Sequence, residues 1–396
     1  MDAGRSHRQL PPPHRPPVAG RGRQSAGAHR ARPCLPVRRR RHRGVRRRLS
    51  RRTRPLAGRA LNTAAPALGL LLSAKVDRAH GPRLDALAQD AGVRLQRHRV
   101  EDADPARIDV AFFSRDLYEG SSLRKPGPLS DAFFRVADAA PGLRWLHVCS
   151  SGQDLPQYAH TLARGVSVTA STGVTAAPIA QTAVAAILAQ SRGFDRWLAS
   201  QARRAWQPLT GDARPRDLSS MHVLVLGAGA IGQEIGRLCS ALGLRTTAVR
   251  RHAEPLAGFD DVIGMAQLDD ALPQCDWLVL ALPLNAGTAG IIDARRLALL
   301  PSGARIVNVA RGELVDEAAL THALDAGRLA GAYLDTFTEE PLPQASPLWS
   351  LPSVWISPHN SAASLGHEDR VVDCFADALS RWLARHAAQL GVAGTR

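Results

Sequence analysis

Val223-Leu224-Val225-Leu226 runs directly into Gly227-Ala228-Gly229-Ala230-Ile231-Gly232, and Gln233, Glu234, Ile235, Leu238, Cys239 and Leu242 continue with helical spacing. An apolar strand that feeds a Gly-x-Gly-x-x-Gly turn and then a helix leaves few folds open. The first glycine permits the tight turn, the second lets backbone approach a pyrophosphate, and the third lets the helix pack closely on the strand. Backbone N–H groups at the start of the helix then meet the phosphates. Alone the pattern is weak; between a strand and a helix it is a dinucleotide fingerprint. Gly227, Gly229, Ala230, Ile231 and Gly232 are the first candidate cofactor contacts.

The next strand, Arg245 to Val249, leads into Arg250 and Arg251, and no carboxylate follows until Glu254. An acid at the end of this strand would grip the ribose 2′-hydroxyl of NAD, whereas guanidinium groups suit a 2′-phosphate through charge and paired hydrogen bonds. Arg250 and Arg251 therefore predict NADP(H) as the preferred cofactor, with NAD(H) as the alternative.

A chain of 396 residues accommodates two domains. Ahead of the glycine turn, apolar runs at 67–72, 93–100, 108–114 and 143–148 alternate with a helical pattern over 81–91, which predicts an open parallel sheet with crossover helices. Ligands sit beyond the carboxyl ends of such strands, so the Ser150-Ser151-Gly152 turn is a candidate substrate contact. Residues 174–203 read as one long helix, and the domain boundary is expected near residue 171.

The net charge of +16 invites a nucleic-acid reading, but its distribution argues otherwise. Residues 1–60 hold 19 Arg and one acid, while the remaining 336 residues carry a net charge of −2. The extension, with Pro11-Pro12-Pro13, Pro16-Pro17 and the basic run 38–43, lacks apolar periodicity and is expected to be disordered over 1–65. It matches neither a transit peptide nor a secretory leader. Five scattered cysteines without a CxxC suggest neither a disulfide framework nor a zinc site, and no window reaches the length of a membrane span. The expectation is a cytoplasmic protein with no membrane association and no specific nucleic-acid partner.

Three later segments each run from an apolar strand into polar groups: Ile306 to Asp316, containing Val309, Ala310 and Arg311; Ala332 to Pro343, containing Asp335 and Glu340; and Val354 to Asn360, containing His359. In an open α/β sheet such ends converge on the crevice. Hydride transfer between nicotinamide and a 2-keto acid needs a cation for the carboxylate, a proton donor for the developing alkoxide, and a partner that keeps the donor protonated. Arg311, His359 and Glu340 suit these roles in that order. Val309 and Ala310 are further candidate cofactor contacts.

These segments, with the Gly227 turn and Leu282-Pro283-Leu284 before Thr288, resemble the D-isomer-specific 2-hydroxyacid dehydrogenase family from about residue 67 onward. The resemblance implies Arg311, Glu340 and His359 as the catalytic trio. It implies Asp335 as the contact to the nicotinamide carboxamide and Ser151 and Gly152 as backbone donors to the substrate carboxylate. It further implies a Rossmann cofactor domain over 171–360, inserted in a flavodoxin-like substrate domain over 66–170 and 361–396. The expected fold is thus α/β, with two doubly wound parallel-sheet domains. A homodimer and a small 2-keto or 2-hydroxy acid of the glyoxylate or hydroxypyruvate type complete what it implies. Gln181, where many members carry Glu, and the basic extension depart from the pattern. Two rival readings stand beside it: a nucleotide-sensing, corepressor-like binding protein on the same fold, and a nucleic-acid-binding role for the basic extension.

Overall fold

The computed structural model describes residues 65–121, 126–152 and 155–392. The expected disordered extension lies outside these residues, except for Ala65.

Strand β1 (Ala67–Leu72) is buried at every position after the first, and the side chain of Ser73 caps the helix that follows by accepting the N–H of Val76 at 3.1 Å. That helix, α1 (Ala74–Asp90), begins seven residues before the expected start at Gly81 and continues through Pro82. The Gly81-Pro82 pair read as a helix start, yet Gly81 serves packing: a Cβ there would meet the guanidinium of Arg97 at 1.5 Å. Arg97 and Arg99, both on β2 (Arg94–Arg99), pair with the buried carboxylate of Asp77 on α1. A buried carboxylate held by two cations locks helix to strand. The lobe continues with β3 (Val110–Phe113), α2 (Pro128–Ala139), β4 (Trp145–Val148), α3 (Pro156–Ala163) and β5 (Ser167–Ala170). Among the described residues its strands are all parallel in the order β2-β1-β3-β4-β5, which is the flavodoxin-like order. The order reverses between β1 and β3, so the crevice lies at their carboxyl ends.

His147 on β4 is a structural histidine of this core. Its Nδ1 lies 2.8 Å from the Thr169 hydroxyl and its Nε2 lies 3.1 Å from the Ser171 hydroxyl. The Ser171 hydroxyl donates to the Val148 carbonyl, so it accepts from Nε2–H, which leaves Nδ1 to accept from Thr169. Burial, and secondarily the charge of Arg381, lowers the His147 pKa to about 4. Between about pH 4 and 6.5 the unfolded chain binds the extra proton and the folded chain does not, so stability rises with pH. The contribution is complete above about pH 6.5 and is lost as the pH falls to 4, by on the order of 3 kcal/mol. Urea unfolding of the parent and of His147→Asn across this window is expected to show a steeper acid loss in the parent; parallel curves would contradict the assignment.

The single long helix expected over 174–203 is two helices, α4 (Ala176–Ser191) and α5 (Phe194–Ala202). Gly193 breaks them with φ of +76°, and a Cβ there would sit 2.7 Å from Leu209. Apolar periodicity carries on across such a break, which is why the sequence pattern reads through it.

The second sheet is built from β6 (His222–Leu226), α6 (Ala230–Ala241), β7 (Arg245–Arg250), β8 (Asp261–Gly264), α7 (Leu268–Ala271), β9 (Trp277–Leu280), α8 (Ala294–Leu299), β10 (Arg305–Asn308), α9 (Glu317–Asp325), β11 (Gly331–Leu334) and β12 (Val354–Ile356). Its described strands are parallel in the order β12-β11-β10-β9-β6-β7-β8. Counted from β6 this is the 3-2-1-4-5-6 order of a dinucleotide-binding sheet with one further strand, and its reversal lies between β6 and β9. Both faces are buried: Leu224, Leu278 and Ile306 join one core cluster, Val223, Val279 and Val307 another. The last helix, α10 (His367–His386), returns to the first lobe, where Phe375 stacks on Phe112 with ring centroids 4.2 Å apart and Trp382 stacks on Trp145. Residues of α10 thus share the core of the first sheet, and among the described residues no helix is long and apolar enough to cross a membrane.

Candidate active site

Strand register aligns the site. Leu226 of β6 pairs with Leu280 of β9, Leu280 with Asn308 of β10, Asn308 with Leu334 of β11, and Leu334 with Ile356 of β12. Residues just beyond these positions therefore emerge along one carboxyl edge: Gly227, Val309 to Arg311, Asp335 to Glu340, and Ser357 to His359.

The glycines divide their work as the spacing predicts. Gly227 has φ of +93°, and a Cβ on Gly232 would lie 1.9 Å from the Gly227 carbonyl oxygen. A Cβ on Gly229 would meet nothing within 4 Å. Gly229 is the residue before α6, no side chain caps that helix, and the N–H groups of Ala230 and Ile231 open its first turn. The hollow above Gly229 and the uncapped helix start fit a dinucleotide pyrophosphate. The Gly227 N–H bonds the Val249 carbonyl at 2.9 Å, which places Arg250, the half-buried last residue of β7, beside the turn; Arg251 is exposed. Among the described residues neither arginine has an ion pair.

His359 and Glu340 meet: Nδ1 lies 2.9 Å from Oε2 of Glu340, whose Oε1 accepts the Phe337 N–H at 3.1 Å. Burial alone would raise the Glu340 pKa, but the hydrogen bond and charge of His359, the Phe337 N–H and the charge of Arg311 together leave it below the ordinary carboxylate range. The ionised carboxylate accepts a hydrogen bond from Nδ1–H, which leaves Nε2 as the ring nitrogen not engaged by Glu340. Arg311 sits in a turn shaped by Asn308, whose side chain accepts the Ala310 N–H at 3.1 Å and donates to the Arg311 carbonyl at 2.8 Å. Val309 and Ala310 are buried in the same turn.

Asp335 holds the histidine in place. Its buried carboxylate accepts the N–H groups of Asn360 at 2.8 Å and Ser361 at 3.0 Å and the hydroxyls of Ser357 and Ser361. The Tyr333 hydroxyl extends the chain to Ser357 at 2.7 Å, and burial raises that phenol to about 12. The clamp is needed because His359 adopts φ of +51°, a left-handed backbone that side chains other than glycine rarely hold. The family resemblance implies Asp335 as a cofactor contact, and nothing in the sequence signals this anchoring. Gly312 escaped notice as well: a Cβ there would sit 2.0 Å from the backbone carbon of Phe337, so the turn carrying Arg311 abuts the turn carrying Glu340.

From the first lobe, Ser151 and Gly152 follow β4. The Ser151 hydroxyl bonds that of Thr175 at 3.0 Å, Ser150 donates to the Gly152 carbonyl at 2.7 Å, and among the described residues the N–H groups of Ser151 and Gly152 have no partner. Tyr118, in the short 3-10 turn after β3, is within electrostatic reach of both Arg311 and Glu340.

Residues 184–361 match the family model for the NAD binding domain of D-isomer specific 2-hydroxyacid dehydrogenases. A solved D-isomer specific 2-hydroxyacid dehydrogenase from Xanthobacter autotrophicus Py2, in complex with NADPH and MES, aligns over 81% of this chain and 96% of its own, with 26% identity and a TM-score of 0.61. Residues 184–361 are thus a NAD binding domain of the D-isomer specific 2-hydroxyacid dehydrogenase family. Glyoxylate/hydroxypyruvate reductase A of Salmonella paratyphi B is 38% identical over 182 residues, 46% of this chain. That match spans 57%, just over half, of the curated relative's length. A NADPH-dependent glyoxylate/hydroxypyruvate reductase from Sinorhizobium meliloti, solved with NADP and sulfate, shares the fold at 22% identity and a TM-score of 0.61, covering 82% of this chain and 96% of its own.

Proposed function

We propose that this protein reduces a small 2-keto acid to the D-2-hydroxy acid, with NADPH preferred over NADH and glyoxylate or hydroxypyruvate as the substrate type. The observation that carries the reading is the 2.9 Å contact of His359 Nδ1 with Glu340, on the carboxyl edge that also carries Arg311 and the Gly229 hollow. When bound, the nicotinamide supplies the hydride. Arg311 holds the substrate carboxylate and polarises the keto oxygen, the Ser151 and Gly152 N–H groups take the remaining carboxylate lone pairs, and His359 delivers the Nε2 proton to the alkoxide. Glu340 fixes the ring and balances its charge. Asp335 anchors the His359 turn and is also proposed to face the carboxamide. Val309 and Ala310 line the floor under the cofactor.

The discontinuous lobes, 66–170 with 361–396 and 171–360, would then close on the substrate between them. Exposed Phe194, Trp197 and Leu198 on α5 support a homodimer, and the four free cysteines of the described residues support a reducing, cytoplasmic setting. The names of the relatives above support the keto-acid class.

Arg250 and Arg251 are proposed to bind the 2′-phosphate. Replacing both by Ser is expected to lower kcat/KM for NADPH by roughly 10- to 100-fold more than for NADH, the worth of one charge-assisted contact. Equal losses on the two cofactors would remove the assignment. NADPH oxidation with glyoxylate and hydroxypyruvate tests the activity; tight cofactor binding with no turnover would favour the nucleotide-sensing alternative.

A further inference from the structure

Arginines of the first lobe commonly sit against a carboxylate: Arg97 and Arg99 on Asp77, Arg144 on Asp109, Arg164 on Asp138. Arg115 does not. It opens the short turn that follows β3, is half-buried, and among the described residues has no ion pair. Its guanidinium instead lies over the Tyr118 ring, 5.2 Å from the centroid. The neighbouring carboxylate of Asp116 is taken by the Ser114 hydroxyl at 2.6 Å. Tyr118 is held neutral by burial, so it offers Arg115 a face and no charge.

The position of this cation matters. β3 borders the sheet reversal, and its carboxyl end opens on the crevice. Tyr118, under Arg115, is reached electrostatically by Arg311 and Glu340 from the other lobe. Arg115 is also within electrostatic reach of His367, the first residue of α10, whose buried Nε2 has no partner among the described residues. Burial, together with the charges of Arg115 and Arg370, lowers the His367 pKa. A half-buried guanidinium without a counter-ion, beside an unsatisfied ring nitrogen and an aromatic wall, is suited to an anionic group from a ligand. The reactive carboxylate is already provided for by Arg311 and the Ser151–Gly152 turn.

We propose that the substrate is a 2-keto acid bearing a second carboxylate, and that Arg115 binds that distal group. The assignment rests on the keto-acid reduction proposed above and replaces its glyoxylate or hydroxypyruvate type, whose members carry one carboxylate, with a dicarboxylic acid. Arg115 sets specificity; it takes no part in the proton or hydride steps.

Steady-state NADPH oxidation with pyruvate, oxaloacetate and 2-oxoglutarate reads the preference, and calorimetry of D-lactate and D-malate binding to the NADP-loaded protein reads it without turnover. The dicarboxylic acids are expected to be favoured in both. Arg115→Leu is expected to reduce the dicarboxylate-to-monocarboxylate ratio of kcat/KM by on the order of 30-fold or more, the consequence of leaving a carboxylate unpaired. Arg115→Lys, which keeps the charge and serves if the Leu variant fails to fold, is expected to retain part of the ratio. Equal losses on both classes would place Arg115 on the reactive carboxylate and overturn the proposal, as would a parent enzyme that prefers pyruvate and binds D-lactate as well as D-malate. Turnover of no keto acid with either cofactor would instead defeat the underlying activity, a distinguishable result.

Discussion

His359→Gln is expected to lower kcat for keto-acid reduction by roughly two to four orders of magnitude, the usual worth of a positioned proton donor. Glutamine keeps a polar side chain of similar reach and can still donate toward Glu340, whose Oε2 lies 2.9 Å from Nδ1 in the parent. What it lacks is a transferable proton at the position of Nε2. The cofactor turn at Gly227 to Gly232 is untouched, so NADPH affinity by fluorescence titration is expected to stay within about threefold, well under one tenfold step of 1.4 kcal/mol. A kcat within tenfold of the parent would show that another group delivers the proton.

Gly312→Ala is expected to be nearly as damaging by a different route. The added carbon would lie 2.0 Å from the Phe337 carbonyl carbon and 2.2 Å from the Thr338 nitrogen, both backbone atoms. No rotamer relieves that overlap, so the Arg311 turn and the 337–340 turn must move apart. The second turn is pinned by Glu317, whose carboxylate accepts the Thr338 N–H at 2.9 Å, and by Glu340 on Phe337. Displacing Arg311 by about 1 Å from Glu340 and His359 costs on the order of 100-fold in turnover, and the overpacking costs about 1–3 kcal/mol of stability. A melting curve and kcat/KM on the same sample check both. A variant that keeps its parent's turnover would show that the spacing of the two turns is not what positions Arg311.

The parts of this molecule legible from sequence are those written locally. The apolar run at 67–72 is β1, the Gly227 turn opens α6, and the three apolar segments ending near Arg311, Asp335 and His359 are adjacent parallel strands. Each depends on a few consecutive residues. What escaped depends on residues far apart in the chain. Gly81 reads as a helix start until Arg97, sixteen residues on, is seen to occupy its open side. Gly193 breaks the long helix because of its backbone conformation and Leu209. Asp335 bonds residues 357–361, and nothing near it in sequence announces that role. Asn308, a lone polar residue closing an apolar strand just before Arg311, was the one missed site residue with a local signal.

Isotope transfer tests the central claim most directly. NADPH carrying deuterium at the transferable C4 position, incubated with the protein and a panel of mono- and dicarboxylic 2-keto acids, is expected to place deuterium on C2 of a D-2-hydroxy acid, detected by mass spectrometry. His359→Gln is expected to slow that transfer by roughly two to four orders of magnitude while still binding the cofactor. NADPH bound tightly with no deuterium reaching any keto acid would contradict the account and leave a nucleotide-binding protein without this chemistry.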